Sequence, residues 1–289
     1  MDEKYALISR ILNFSCVDGP GNRLVIFLQG CNFNCKNCHN PHTINHCNHC
    51  GDCVSGCPTQ ALSIDQGNKV VWDESLCTHC DHCIDVCPHK SSPKIYSYSV
   101  TEVVEIIKQQ RYFISGITIS GGEATLQLPF IAQLFERVKS DPELTHLTCF
   151  IDSNGYLSES GWQRVEPWLD GVMIDLKAWQ HETHQWLVGR SNHRVIASIK
   201  YLASIGKLYE LRLLHIPGKS DLDSELNDVT RLINLLPDDV VIRLNAFQHH
   251  GVVGEALSWE KCSQSEMTRF HQRLAGKITQ SITLPTVYT

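Results

Sequence analysis

Leu24-Val-Ile-Phe-Leu-Gln-Gly-Cys-Asn-Phe-Asn-Cys-Lys-Asn-Cys38 joins a short apolar run to three cysteines in the pattern C-x3-C-x2-C, at Cys31, Cys35 and Cys38. The run Leu24–Leu28 is uncharged and short, the signature of a buried strand rather than of a helix. The cysteines therefore sit just past the C-terminal end of a first strand. Three thiolates leave one iron of a cubane open to a non-protein ligand. Around zinc the same three would leave a water position. The block alone does not choose between the two.

Working outward, cysteine stays concentrated. Of 14 cysteines in 289 residues, eleven fall between Cys31 and Cys87. Two further blocks, Cys47-x2-Cys50-x2-Cys53-x3-Cys57-Pro58 and Cys77-x2-Cys80-x2-Cys83-x3-Cys87-Pro88, are offset by 30 residues. Both match the bacterial ferredoxin run, in which three thiolates wrap one cubane and the fourth reaches across to the other. That spacing assigns one 4Fe–4S cluster to Cys47, Cys50, Cys53 and Cys87, and a second to Cys57, Cys77, Cys80 and Cys83. Each proline removes a backbone donor and helps end its turn. A pair of zinc knuckles needs only separated C-x2-C pairs, which is not this pattern. Ala61–Ile64 and Lys69–Asp73 read as short strands around the turn at Gln66-Gly67-Asn68. Residues 43–94 are thus expected to form an inserted ferredoxin-like dicluster module, and residues 1–42 with 95–289 its host domain. So small a module has little core, and its clusters should supply much of its folding energy.

The host domain alternates. Leu24–Leu28, Ile117–Ile119, Leu147–Ile151, Val172–Ile174, Leu211–Ile216 and Val240–Leu244 read as strands. Val100–Gln110, Leu128–Lys139, His193–Ile205 and Leu222–Leu235 read as helices, the last with Asp221 as its N-cap. Repeated βα units imply a parallel sheet or barrel, and six of them stop short of the eight of a closed barrel. The expected fold class is α/β, a partial (β/α)6 barrel of the TIM type. Gly121-Gly122-Glu123, Asp152-Ser153-Asn154-Gly155 and Asp175-Leu176-Lys177 each follow a strand, as the three-cysteine block does. Strand C-terminal ends are where barrel enzymes assemble their sites. Taken singly these are weak signals: a Gly-Gly turn, an Asx-turn and a solvated strand end. Four on one face are a site.

The net charge is −6 and no Lys/Arg run interrupts the sequence, so neither a nucleic-acid footprint nor an anionic-membrane patch is expected. Met1 to Phe14 carries Asp2, Glu3, Lys4 and Arg10 and lacks an uninterrupted apolar core, a poor signal peptide. A cytoplasmic chain is expected, where dense cysteine means metal ligation rather than disulfides.

The three-cysteine motif resembles that of the radical S-adenosylmethionine (SAM) enzymes, and the wider pattern resembles their glycyl-radical-enzyme activases. Asp18-Gly-Pro-Gly-Asn-Arg23, His39-Asn-Pro41, Ser120-Gly-Gly-Glu123, Asp152–Gly155 and Asp175-Leu-Lys177 carry the resemblance. So do Leu187-Val-Gly-Arg-Ser-Asn-His193 and Ile216-Pro-Gly218, and an inserted dicluster marks the larger activases. Three positions depart from the pattern: Asn37 where an aromatic often stands, Ala124 where Pro is common, and Gln248 in place of a His. His249 or His250 would then take over the contact of the missing His.

The resemblance implies a chemistry and its residues. SAM would be chelated by the open iron of the Cys31/Cys35/Cys38 cluster through its amino and carboxylate groups. Gly121, Gly122 and Glu123 would receive the amino end, Ser153, Asn154 and Lys177 the carboxylate, ribose or sulfonium region, and Gln248 the nucleoside side. Asp152, Asp175 and the backbone of Met173 would hold a monovalent cation, while Asp18 and Arg212 would meet the substrate. That substrate would be a glycine Cα–H in a partner glycyl radical enzyme, with flavodoxin or ferredoxin as electron donor. Three clusters take eleven cysteines and leave Cys16, Cys149 and Cys262, read as buried small hydrophobes. His39, His42, His46 and His49 are read as surface or cluster-neighbour residues rather than as another metal site. Two alternatives stand beside the activase: a radical SAM maturase of another peptide, and a ferredoxin-type electron carrier with a degenerate barrel.

Overall fold

The computed structural model describes residues 2–285. Its strands are β1 (Tyr5–Ser15), β2 (Arg23–Leu28), β3 (Leu62–Ile64), β4 (Val70–Trp72), β5 (Tyr96–Ser99) and β6 (Gly116–Gly121). They continue with β7 (Thr148–Ser153), β8 (Gly171–Leu176), β9 (Leu208–His215), β10 (Val241–Ala246) and β11 (Ile282–Thr283). Nine of them form one open sheet in the order β11-β10-β9-β8-β7-β6-β2-β1-β5. β2 and β6 to β10 run parallel and are the six strands expected from the sequence. The two ends of the sheet do not meet among the described residues, so the barrel is partial.

Strand side chains alternate between two faces. One face is apolar: Leu24, Ile26, Leu28, Ile117, Ile119, Val172, Ile174, Leu211 and Leu213 are fully buried in one core with the outer helices. The other face is polar and carries Ser120, Asp152, Asp175, Glu210, Arg212 and Arg243. The helices begin where their caps dictate. Val100–Gln110 starts at Ser99, whose hydroxyl accepts from the Glu102 N–H while the Glu102 carboxylate takes the Ser99 N–H, a capping box. Ser263 and Glu266 repeat the device for Gln264–Ala275.

Two expectations need correction, and two strands were not anticipated. The helix expected over Leu222–Leu235 spans only Leu226–Ile233, because Asp221 caps nothing there. Its carboxylate instead accepts the backbone N–H groups of Trp179 and Gln180, tying the loop after β8 to the loop after β9. Cys16 is exposed in the β1–β2 loop, whereas Cys149 and Cys262 are buried as expected. β1 and β5, antiparallel additions at one side of the barrel, were not expected. β1 departs from its register between Ile8 and Arg10 and again between Leu12 and Ser15, which breaks the alternation that would mark it.

At the opposite end of the strands from the cysteines, Arg23 is wholly buried. It donates from Nε to Thr118 Oγ1 at 3.0 Å, from Nη1 to Thr148 Oγ1 at 2.6 Å and from Nη2 to the Ile117 carbonyl at 2.5 Å. Its guanidinium carbon lies 4.5 Å from the centroid of the Phe150 ring. One side chain thus clamps β2, β6 and β7 together. Among the described residues no helix is long and apolar enough to cross a membrane. Arg23→Met leaves those acceptors unpaired in the core and is expected to cost about 3 kcal/mol of stability, read by chemical denaturation of the folded chain. A loss below about 0.5 kcal/mol, the range of ordinary surface substitutions, would show that the clamp is not needed.

Candidate active site at the mouth of the partial barrel

The four motifs that follow β2, β6, β7 and β8 surround one cavity of about 500 Å³. Cys31, Cys35 and Cys38 form one wall, Gly121 to Glu123 the next, and Asp152 to Asn154 with Asp175 and Lys177 the floor.

Backbone contacts hold the cysteine loop from both sides. Gly30 N–H donates to the Thr43 carbonyl at 2.8 Å and Cys31 N–H to the Ile44 carbonyl at 2.9 Å. On the far side Asn34 N–H reaches the Val188 carbonyl at 3.0 Å, and Lys36 N–H the Leu187 carbonyl at 2.9 Å. The Leu187-Val188 motif is therefore a brace for the thiols. From β6, Gly122 N–H bonds the Leu28 carbonyl at 2.9 Å and Glu123 N–H the Gly30 carbonyl at 2.8 Å. Glycine is required at this contact: a Cβ on Gly122 would sit 2.4 Å from the Gly30 carbonyl oxygen and 2.7 Å from that of Thr43.

The Glu123 side chain is saturated by protein. Oε1 accepts from Thr125 Oγ1 at 2.6 Å and Ser153 Oγ at 2.8 Å, and Oε2 from the Asn154 N–H at 2.7 Å. Burial pushes its carboxyl up, and these bonds oppose that shift. The carboxylate locks the β6 loop to the β7 loop, which leaves the Gly-Gly backbone to face the cavity. Asn154 Nδ2 in turn donates to Asn32 Oδ1 at 2.8 Å, tying β7 to the cysteine loop.

The floor is a chain of buried charges. Lys177 Nζ is 3.0 Å from Asp175 Oδ2, and Arg212 Nη1 is 2.9 Å from Asp152 Oδ1. Burial disfavours the Lys177 ammonium, but Asp175 outweighs it, with Cys35 and Cys38 adding to the pull once ionised, and the group is held above its usual range. Burial likewise pushes the Asp152 carboxyl up, helped by Asp175 and Asp18 and opposed by Arg212. Burial opposes the Arg212 cation, but Asp152, Asp175 and Glu210 keep it charged. The thiols themselves are neutral when free. Burial pushes Cys31 up to about 12 and Cys35 up to about 11, and it raises Cys38 as well.

Two residues the sequence reading passed over complete this floor. Glu210, only 2% exposed, receives Arg212 Nε at 2.6 Å and Arg243 Nε at 2.9 Å. The signal was present: Glu210, Arg212 and Arg243 stand at charged, strand-interior positions in otherwise apolar runs. Two expected residues lie elsewhere. Gln248 does not line the cavity; its Nε2 donates to the Cys262 carbonyl at 2.9 Å. Asp18 also lies off the cavity wall, accepting from Ser15 Oγ at 2.5 Å. His249, offered in place of the missing His, is bonded to the Trp259 carbonyl at 2.8 Å. His39, by contrast, does line the cavity.

The donor set fits an iron–sulfur cluster with one open position and a zwitterionic ligand. Three thiols face a pocket whose other walls carry the Gly121–Gly122 backbone and the buried Lys177 cation. Asn37, at the position where an aromatic was expected, lines the cavity with a buried Oδ1 that has no partner, an acceptor ready for a ligand donor.

The sequence pattern of the Radical SAM superfamily matches residues 25–233. The chain is 32% identical over 243 residues to the pyruvate formate-lyase 1-activating enzyme of Escherichia coli strain K12, covering 78% of this chain and 76% of that one. It is 28% identical over 262 residues to the trans-4-hydroxy-L-proline dehydratase activating enzyme of Clostridioides difficile, covering 85% of each. Among solved structures, Streptococcus suis SuiB bound to precursor peptide SuiA aligns with a TM-score of 0.59 at 13% identity, over 91% of this chain and 48% of that one. QueE from Escherichia coli aligns with a TM-score of 0.54 at 13% identity, over 98% and 95%. These two are likenesses of fold.

Fold, cavity and matches together define a radical SAM enzyme, whose chemistry uses SAM and a 4Fe–4S cluster. Within that class, the chain belongs to the activating enzymes of glycyl radical enzymes. Gly122→Ala is expected to push the β6 loop off the cysteine loop and lower the rate of SAM cleavage about 100-fold, the scale of a displacement near 1 Å. Release of 5′-deoxyadenosine by the reconstituted protein reads it, and an unchanged rate would remove the backbone contact from the catalytic geometry.

Proposed function

We propose that this chain installs a glycyl radical on a partner enzyme, with its three-cysteine loop holding the SAM cluster and a second, inserted module carrying two more. The observation that carries the reading is convergence: three thiols, a glycine backbone, Lys177 and Asn154 line one cavity beneath an unclosed barrel. When bound, the reduced cluster and SAM supply a one-electron cleavage to methionine and a 5′-deoxyadenosyl radical, which takes a hydrogen atom from a glycine Cα.

The chain's own residues bind, orient and shield. Gly121 and Gly122 offer backbone acceptors to the SAM amino group, while Glu123 keeps them in place. Lys177 and Asn154 face the carboxylate and ribose. Lys177 stays protonated throughout and provides fixed positive charge beside the thiolates. Asp152, Asp175 and the Met173 carbonyl would hold a monovalent cation in competition with the Arg212 and Lys177 ion pairs. Arg212 would present its guanidinium to the incoming segment, with Asp18 as a second contact beyond the cavity wall.

Support for the dicluster insert comes from its backbone. Left-handed residues recur at the 30-residue offset: His49 and His79 at φ 60° and 54°, Gly51 and Asp81 at 87° and 60°, Gln60 and Lys90 at 56° and 49°. His49 N–H and His79 N–H each lie 3.4 Å from the sulfur two residues earlier, Cys47 and Cys77. The hydrophobic cluster inside the insert is only Cys53, Leu62 and Val70, with a few partly buried neighbours. Two matching thiol-lined turns around almost no core are what a pair of cubanes would fill. An acidic flavodoxin or ferredoxin would supply the electron.

Anaerobic reconstitution is expected to give about twelve irons per chain, falling to about eight when Cys31, Cys35 and Cys38 are all changed to Ala. The triple variant should form no 5′-deoxyadenosine. With pyruvate formate-lyase, trans-4-hydroxy-L-proline dehydratase and isethionate sulfite-lyase as trial partners, SAM and dithionite should produce a doublet glycyl-radical signal in electron paramagnetic resonance with at least one. SAM cleavage with modification of a peptide but no such signal would favour a maturase, and a chain that never cleaves SAM would be an electron carrier.

A further inference from the structure

β1 is eleven residues long, but β5 pairs only with Tyr5 to Ile8. From Ser9 onward, β1 keeps its bonds to β2 and has no strand on its other side among the described residues. Unpaired N–H and C=O groups on such an edge are a template for another strand. Natural edges are blunted against chance pairing, and β1 carries the usual devices: two register shifts and the exposed charge of Arg10. What remains is a short, selective edge.

That edge is not out on open surface. Ser9, Ile11 and Asn13 border a cleft of about 900 Å³, roofed by the insert through Trp72 and by Tyr96 of β5. The cleft shares Asn40, Thr43 and Gly121 with the cavity lined by the three cysteines, so the two spaces lie on either side of one wall. Direction matters too. Ile8 pairs with Leu28 at the cysteine end of β2, and Ser15 with Arg23 at the other end. A segment laid along β1 from Asn13 to Ser9 therefore advances toward the catalytic cavity. Five residues at about 3.4 Å each cover about 17 Å.

We infer that the glycine-bearing segment of the protein substrate binds by β-augmentation on the free edge of β1 at Ser9–Asn13, under the insert, and turns over Gly121 into the cavity. Main-chain hydrogen bonds to β1 give affinity with little demand on sequence, and the cleft's aromatic roof reads the side chains. Extended backbone also exposes the glycine Cα–H at the end of the strand. The insert is then a wall of the substrate channel as well as a carrier of clusters. This rests on the activase reading.

The test uses the full reconstituted chain and whichever of the three trial enzymes it activates. p-Benzoylphenylalanine replacing Asn13 is compared with the same photoprobe at Lys200, an exposed position on the outer helix His193–Ser204. Expected is at least tenfold more cross-linking from position 13, with the captured peptide containing the radical glycine. A matched carbonyl-labelled peptide from that region should show a sheet-type amide I shift on binding. Activation with equal cross-linking at both positions, or capture at position 13 of a different segment, a second copy of this chain or the electron donor, would overturn the assignment. If SAM is cleaved but none of the three enzymes gains a radical, the activase reading fails, and this one falls with it.

Discussion

Gly122 touches the cysteine loop backbone to backbone, and the rest of the site is arranged around that contact. With no side chain between them, β6 passes two N–H bonds to Leu28 and Gly30, and Gly30 in turn bonds Thr43. The thiols are therefore placed by main chain, which is stiffer than any side-chain contact could make them. Glu123 then extends the same frame sideways to Ser153 and Asn154, and Asn154 returns to Asn32. The circuit from cysteine loop to β6 to β7 and back closes on itself. A carboxylate that looks like a ligand in the sequence serves as the pin of this frame.

The polar lumen poses the opposite problem, since buried charge is costly unless paired. The barrel resolves it by pairing each charge with an opposite one from another position on β7 to β10: Asp152 on β7 with Arg212 on β9, and Glu210 on β9 with both Arg212 and Arg243 on β10, while Asp175 on β8 pairs with Lys177. The parallel register sets Asp175 beside Arg212 and Arg212 beside Arg243, and Glu210 separates the two guanidinium groups. Removing one member would strand its partner, so these residues act as a unit. Such a floor is rigid before any ligand arrives, which is what a site that must aim a reactive radical requires.

The six parallel strands and the four strand-end motifs were legible because period and position both pointed to them. Leu24–Leu28 and Val172–Ile174 are uniformly apolar runs, and the chemistry-bearing residues follow directly. β1 was illegible because its register shifts scramble the alternation, and β5 because four residues carry too little pattern. The Leu226 helix was overextended because Asp221 has the composition of a cap, yet its carboxylate serves a neighbouring loop. Gln248 was placed by analogy with a histidine, but its amide nitrogen is committed to the Cys262 carbonyl, away from the cavity. Glu210 was missed for a plainer reason: strand-interior charges become informative only once register shows what stands beside them.

The segment 43–94 is placed by the same frame. Its ends come together beside the cysteine loop, where Asn45 and Ser91 form a bridge and Gln29 Nε2 donates to the Asn45 carbonyl at 2.6 Å. Gln29 also donates to the His42 carbonyl and receives Gln127 Nε2 at its own carbonyl, 3.0 Å away. Residues 43–94 are thus attached through Gln29, two residues before the first thiol. Trp72 lies 4.9 Å from Tyr96 between ring centroids, a contact that holds the segment against β5, and Lys94, just before β5, pairs back with Asp81. Fixed at its root and at its flank, the segment lines one cleft together with the open edge of β1, so the position of that wall is set by the same contacts that place the cysteine loop.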